Sequence, residues 1–578
     1  MPRSISPAQE GLLIARLAVG KAGTAFGRAL RALPQFGINA SIRTPPRLDL
    51  ALPDIRPADP FIADQIYAGT FPLAGRVLHT EGYLPFTLKM PSPRFARELH
   101  SFRWLRHLRA SGTQLARANA RSLITQWLDN QSDLDAGLVW GDDVVSRRLI
   151  AWLQYSPLIL QDAEPVFYKR FMKAIAGHIR HIAAAISSIP LSEHRLRASI
   201  ALAYARLALP AGDSSVTRTL RRLAADMEQT IYADGGHVSR NPEVLLELLT
   251  DLVPLRMVLA SEGIEAPAGL LSAIDRMFTA LRFFRHSDGE LALFNGVGAV
   301  VPDRLSSLLR YDDTGTIAPL HLPQTGFQRL MMGGTIIIAD TGKVPLAREN
   351  VNAHAGTLAF EMSSGRHRYI VNAGVDTLGP DAYQQISRQT VAHSTLSLDD
   401  VSSSVFTGNE RLKRLIGSAL VKGPASVSVD RQDRPGSQGF IAAHNGYAPA
   451  FGLIHEREIM LSGDGSVITG VDRLLPASSR QNKVSAAKTS ARVSVRFHLH
   501  PDIHVLVNGA GQLMLMADSD DSWAFSATGV TPRLIETFFF AKISGPQKSK
   551  AITLEFPVGE MVEIHWTISR TGIGTKYI

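Results

Sequence analysis

The feature that most constrains this chain is a change of hydrophobic period near residue 325. Before it, apolar residues recur every three to four positions; after it, every second position. In RFMKAIAGHIRHIAAAI the residues Phe171, Ile175, Ile179, Ile182 and Ile186 are spaced four, four, three and four apart, which gathers them on one helical face. Val216, Leu220, Leu223, Met227 and Ile231 repeat the pattern. Short breaks such as SSIPLSEH and LPAGDSS join these segments, so the helices pack antiparallel in a large all-helical domain. Beyond residue 325, runs such as GTIIIAD, RYIVNAG, HEREIMLS and MVEIHWTIS alternate between apolar and polar and are separated by Gly, Asp or Asn. A dozen or so strands with no helices between them predict antiparallel stacked sheets. The chain therefore reads as an α+β multidomain protein. Residues 1–50 form an amphipathic arm, 51–310 a helical domain and 325–578 an antiparallel β-sandwich, with a cleft between the last two as the place for a ligand.

Composition narrows the chemistry. The 578 residues are 45% hydrophobic, enough for large cores, and contain no cysteine, which excludes disulfides, thiolate metal sites and thiol nucleophiles. The net charge of +9 is small for this length, and 48 of the 61 cationic residues are arginine, a bias that a GC-rich genome also produces. Apolar runs are interrupted well before the ~20 residues that span a bilayer, so no transmembrane segment is expected. Glu10, Arg16 and Lys21 break any signal-peptide core, which makes the cytoplasm the default compartment. Phosphate loops, a dinucleotide fingerprint, GxSxG and HExxH are absent, and aromatic residues are not interleaved with a basic stripe. Nucleotide cofactors and nucleic-acid partners are not expected.

The densest polar cluster in the helical half is YADGGHVSRNPE, with Asp234, His237, Ser239, Arg240 and Asn241 in one turn before Pro242. A glycine turn and helix cap would explain part of it, but turns rarely need His, Arg and Asn together. His194, after Pro190, opens another helix. In the sheet half, ENVNAHAGTLAFEM sets Asn352 and His354 at alternate positions of an entering strand. Asn372 follows in RYIVNAG and His393 in AHSTLSL. Two imidazoles and an amide could hold a metal or form a hydrogen-bonded patch, and the residues leave both open. His444, His455, His498 and His500 read as cross-strand surface pairs.

The collinear order of WGDDVVSRRLIAWL, SEHRL, ADGGHVSRNPE, NAHAGTLAFEM with IVNAG, AHSTLSL, and HNGY with HEREIML resembles the heparinase II/III family of polysaccharide lyases. The resemblance implies an incomplete (α/α) toroid followed by stacked antiparallel sheets, a bacterial cell-envelope setting and an acidic polysaccharide as partner, cleaved by β-elimination. A homo-oligomer is left open. Elimination needs a base for the proton beside the uronate carboxylate, neutralisation of that carboxylate and an acid for the leaving oxygen. By resemblance, His194 takes the toroid Asn/His position and Asn352 the first His of an HxH pair. His354, Asn372 and His393 take the positions of a structural zinc site. The loop after the DG turn has no Tyr, Asn352 stands where the family has His, and Asn372 stands where it has Asp. Three readings compete. In the first, His237 is base and acid, Arg240 and Asn241 neutralise the uronate, Tyr383 is a reserve acid, and Arg388 and Trp140 bind substrate. In the second, the cleft binds an anionic glycan without cleaving it. In the third, it hydrolyses glycans through carboxylates, for which Asp234, Glu243 and Glu349 are the nearby candidates.

Overall fold

The computed structural model describes residues 44–573 apart from 132–133, 211, 346–351, 378, 408–418, 478–490, 510–511, 518–520 and 560. Most of the amphipathic arm, and Glu349, lie outside the described residues.

The helical half is a two-walled incomplete ring. The inner wall consists of Pro93–Ser101, Asp142–Gln154, Glu193–Ala208 and Pro242–Ser261, each packed on the next. The outer wall is formed by Pro165–Ala185, Asp213–Thr230 and Ala268–Phe283, which pack against the inner helices. Phe171, Ile175, Ile179, Ile182 and Ile186 are all buried, as are Val216, Leu220, Leu223, Met227 and Ile231, so both predicted stripes face the core. The inner helices are buried on nearly all sides, and Leu245 to Leu255 in one of them is apolar apart from Glu247, Thr250 and Asp251. Their N-terminal turns meet at one rim, where Asp143, His194 and Asn241 begin neighbouring helices.

The second half is two stacked antiparallel sheets. One runs from Arg533–Phe539 through Gln547–Pro557, Arg492–Leu499, His367–Val371, Phe360–Ser364, Thr335–Asp340 and Phe327–Met332 to His321–Leu322, with Leu396–Leu398 also pairing Arg492–Leu499. The other runs from Val427–Arg431 through Ser437–His444, Leu453–Ser462, Val467–Pro476, Glu563–Ile573, Asp521–Ala527 and Leu513–Met516 to His504–Val507. Ile564, Trp566 and Ile568 point into the core between the sheets, as the alternation predicts. Val562 precedes its strand and is exposed. The four strand histidines are a correction. His444 and His455 do lie opposite one another, yet they are buried because the sheets stack over that face, and His498 and His500 are buried on the other face of the first sheet, against Val391, Thr537 and Phe539.

The ring and the first sheet share one core: Phe327, Ile338, Val371 and Phe539 pack with the helices. Two Asp-Gly turns plug the ring into the sheet. Asp234 accepts from the backbone N–H of Gln324 (2.8 Å) and Thr325 (2.7 Å) and from the Thr325 hydroxyl (2.7 Å). A Cβ on Gly235 (φ +86°) would lie 1.9 Å from the Arg276 carbonyl, and one on Gly236 would meet Thr325, so this turn accepts only glycine. In the other turn, Arg368 pairs with Asp288 and Glu290, and His286 sits 3.0 Å from Glu361 with both side chains fully enclosed.

Candidate functional site

The candidate site lies where the rim of inner-helix N-termini meets the loops 295–298 and 352–356. Gly296 (φ +101°) marks the closest approach: a Cβ there would be 3.0 Å from the Asn352 Cβ and 3.2 Å from the Asn241 amide nitrogen. The structure therefore brings Asn241 and Asn352 together, with Asn295 beside them. Asn295 donates to the Arg240 carbonyl (3.2 Å) and accepts from the His354 backbone N–H (3.2 Å), tying the two faces. Asn352 is exposed and His354 buried, and the strand begins only at Phe360. The alternating placement predicted from sequence fails because 352–355 is irregular backbone.

On the ring side, His194 is half exposed, with Nδ1 3.3 Å from Asp143. Burial lowers its pKa, but the hydrogen bond and charge of Asp143 outweigh this and raise it. Asp143 is in turn held well below the usual carboxylate range by Arg147 and Arg197, against the effect of burial. Trp140 is half-buried, its ring stacked on His178 (5.4 Å between centroids) and tilted against His181 (5.5 Å).

His237 is buried, and Ser239 engages one side of its ring. Nδ1 lies 2.8 Å from the Ser239 hydroxyl and 3.1 Å from the Ser239 backbone nitrogen, while Nε2 is enclosed and has no hydrogen-bond partner. Burial is the main cause pulling its pKa down to about 4, opposed by Glu193 and reinforced by Arg197 and His194. Arg240, in left-handed backbone (φ +57°), donates to the carbonyls of Thr325 (2.6 Å), Lys343 (3.0 Å) and Gly326 (3.0 Å), pairs with Asp340 and lies over Phe327. Its guanidinium joins the domains. Asn241 caps the helix Pro242–Ser261 by accepting from Glu243 N–H (2.8 Å). Arg388 donates to the Ala353 carbonyl (2.9 Å) and holds the loop that carries His354. Tyr383 is exposed, its ring 5.7 Å from that of Phe540.

His354 and His393 do meet, Nδ1 to Nε2 at 2.9 Å. The His393 Nδ1 donates to the Gln389 carbonyl (2.7 Å), so its Nε2 accepts the His354 proton. Asn372 turns its carbonyl oxygen to the Ser394 N–H (3.2 Å), leaving its amide nitrogen and His354 Nε2 buried without partners. A zinc centre needs three protein lone pairs converging on one point. Here one imidazole lone pair accepts from the other ring and the amide oxygen is engaged, so this donor set does not fit zinc. Among the described residues no group of three or more His, Asp or Glu comes together to hold a metal ion.

Sequence reasoning missed the carboxylate and arginine hubs. Glu247 takes Arg103 (3.3 Å), Arg147 (3.1 Å) and Arg304, and Asp143 joins Arg147, Arg197 and His194. The signal was present in GDDVVSRR and PEVLLE, where acids and arginines occupy inward helical positions that solvated faces would not require.

A helical ring followed by stacked antiparallel sheets is the architecture of heparinase II/III-like proteins. The chain belongs to that family, residues 314–567 matching the profile described as Heparinase II/III-like, C-terminal. FtsZ-localized protein C of Caulobacter vibrioides is 32% identical over 488 residues, covering 82% of this chain and 83% of that protein. Among solved structures, heparinase III superposes with a TM-score of 0.69 at 12% identity, over 97% of this chain and 92% of the other. A mutant of the heparan sulfate lyase HepC from Pedobacter heparinus gives 0.60 at 16% identity, over 97% and 90%. Among the described residues no helix is long and apolar enough to cross a membrane.

Proposed function

We propose that the protein recognises a glycan chain in the cleft between ring and sheets and does not cleave it by β-elimination. The observation that carries this reading is the enclosure of His237. A ring only 1% exposed, with Nδ1 engaged by Ser239 and Nε2 enclosed, cannot reach the proton of a sugar. Two further facts support it: Arg240 is engaged by three carbonyls and Asp340, and Asn352 offers an amide, which exchanges no proton. Exposed His194 and Asn352, with half-buried Trp140, supply the mixed donors, acceptors and aromatic surface that sugars take.

The test is incubation of the full chain with a glycan panel, following the absorbance of unsaturated ends, new reducing ends and binding by calorimetry. Binding without either product is expected, weakened more than about tenfold in Trp140→Ala. Unsaturated ends that disappear in His237→Ala would restore the lyase reading, and reducing ends alone would indicate hydrolysis.

The name of the Caulobacter relative supports a place of action. We infer that this chain also gathers where FtsZ does, in the cytoplasm. A fluorescent fusion should form a midcell band that is lost on FtsZ depletion. A band that persists without FtsZ, or a uniform peripheral signal, would overturn this.

A further inference from the structure

Edge strands leave backbone N–H and C=O groups unpaired, and folded proteins blunt them by keeping them short or charged. Three of the four edges of the two large sheets follow that rule. His321–Leu322 has two residues, His504–Val507 has four, and Val427–Arg431 sets exposed Ser428 and Asp430 between its apolar positions. The fourth, Arg533–Phe539, does not. It is seven residues long, pairs among the described strands only with Gln547–Pro557, and exposes Leu534, Ile535 and Phe538.

The register shows what surrounds this edge. Leu534 lies opposite Ile552, which is buried between the sheets, so Leu534, Glu536 and Phe538 continue that face beyond the cover of the second sheet. Phe538 is 52% exposed and stacks on Phe540 (6.4 Å between centroids), which in turn meets Tyr383 (5.7 Å). On the same face exposed Lys548 lies opposite Phe538, and exposed Lys550 opposite Glu536. Among the described residues no carboxylate forms an ion pair with Lys548, Lys550 or Arg533. An aromatic ledge with uncompensated cations, beside a strand lacking a neighbour, suits an extended peptide in which apolar and acidic side chains alternate. The chain's own remaining segments do not match. Residues 1–43 contain six cationic residues and one acidic, and 478–490 contain three cationic and no acidic. Two copies meeting edge to edge would bring like charges together.

We propose that Arg533–Phe539 recruits an acidic, apolar segment of another protein by strand addition. The segment's backbone pairs with this edge, its apolar side chains lie on Leu534 and Phe538, and its carboxylates face Lys548 and Lys550. Glycan binding plays no part in it.

The experiment is fluorescence anisotropy of the full chain with labelled peptides of about ten residues. One alternates Val and Phe with Asp and Glu, one has Lys at the acidic positions, and one keeps the acidic sequence but is methylated on its backbone nitrogens. The acidic peptide should bind, less tightly as salt is raised. The other two should bind at least about tenfold more weakly, and the acidic peptide should lose as much against the double variant Lys548→Glu, Lys550→Glu. If the Lys or methylated peptide binds as well as the acidic one, or none binds, the proposal is overturned. A dimer in sedimentation that Phe538→Ser abolishes would assign the edge to a second copy instead. Binding to phosphatidylglycerol vesicles that the double variant loses, without peptide binding, would assign the patch to lipid.

Discussion

Two imidazole pairs are buried in the sheet domain, His444 with His455 and His354 with His393, and their proton chains end differently. In the first, Gly446 N–H donates to His444 Nδ1 (3.0 Å), His444 Nε2 faces His455 Nδ1 (3.4 Å), and His455 Nε2 donates to Asp472 (2.7 Å). Asp472 also accepts from Arg457 (2.7 and 3.0 Å) and Trp566 (2.9 Å), and Arg457 reaches across to the carbonyls of Leu358 and Ser394 (both 2.8 Å). Every polar atom named in that chain has a partner, and it stitches one sheet to the other. In the second pair the chain ends on the Gln389 carbonyl, Asn372 turns its oxygen to Ser394, and two buried polar atoms, His354 Nε2 and the Asn372 amide nitrogen, are left over. A carboxylate can accept from several donors at once, whereas an amide both donates and accepts and so leaves mismatched ends.

The sharpest way to break this comparison is Asp472→Asn. It leaves Arg457 buried without its counter-charge and should cost about 3–5 kcal/mol in urea unfolding. A loss below about 1 kcal/mol would mean that the two pairs are equivalent.

Acid is the next lever. His237 and His393 are both pulled to about 4, mainly by burial. The unfolded chain, with imidazoles near 6.5, therefore binds more protons than the folded one between these values. Stability should be fully retained above pH ~6.5 and decline as the pH drops toward ~4, by up to about 3 kcal/mol for each such imidazole. His393→Gln should flatten part of that decline in unfolding curves measured at the two pH values.

Asn372→Asp supplies the missing anionic ligand. With zinc at a hundred times its dissociation constant, this variant should gain about 2.7 kcal/mol, reversed by chelator, while the unmodified protein shows no shift. Stoichiometric zinc in the unmodified protein would contradict the donor-set argument. The smallest effect belongs to Asn352→Ala. An exposed loop side chain should change stability by no more than about 0.5 kcal/mol, yet glycan affinity should fall.

Hydrophobic period made both halves of the fold readable, because Phe171 through Ile186 and Ile564 through Ile568 are placed by local geometry alone. The cleft was readable only as a set of residue types. Nothing local indicates that Arg240 reaches residues about a hundred positions away at Asp340 and Lys343, or that the fold encloses the His237 ring. Histidines 444 and 455 looked like surface pairs since strand alternation shows which face they share, but not that a second sheet covers it. Pairing between distant segments sets charge state and exposure, and that information is spread across the whole chain.

The Arg240 strut has one last consequence. A guanidinium fastened to three carbonyls and a carboxylate on the opposite domain, and itself held in a left-handed bend, resists hinging at the seam. Under the proposed recognition reading, a bound glycan would then lose little affinity to reshaping its host.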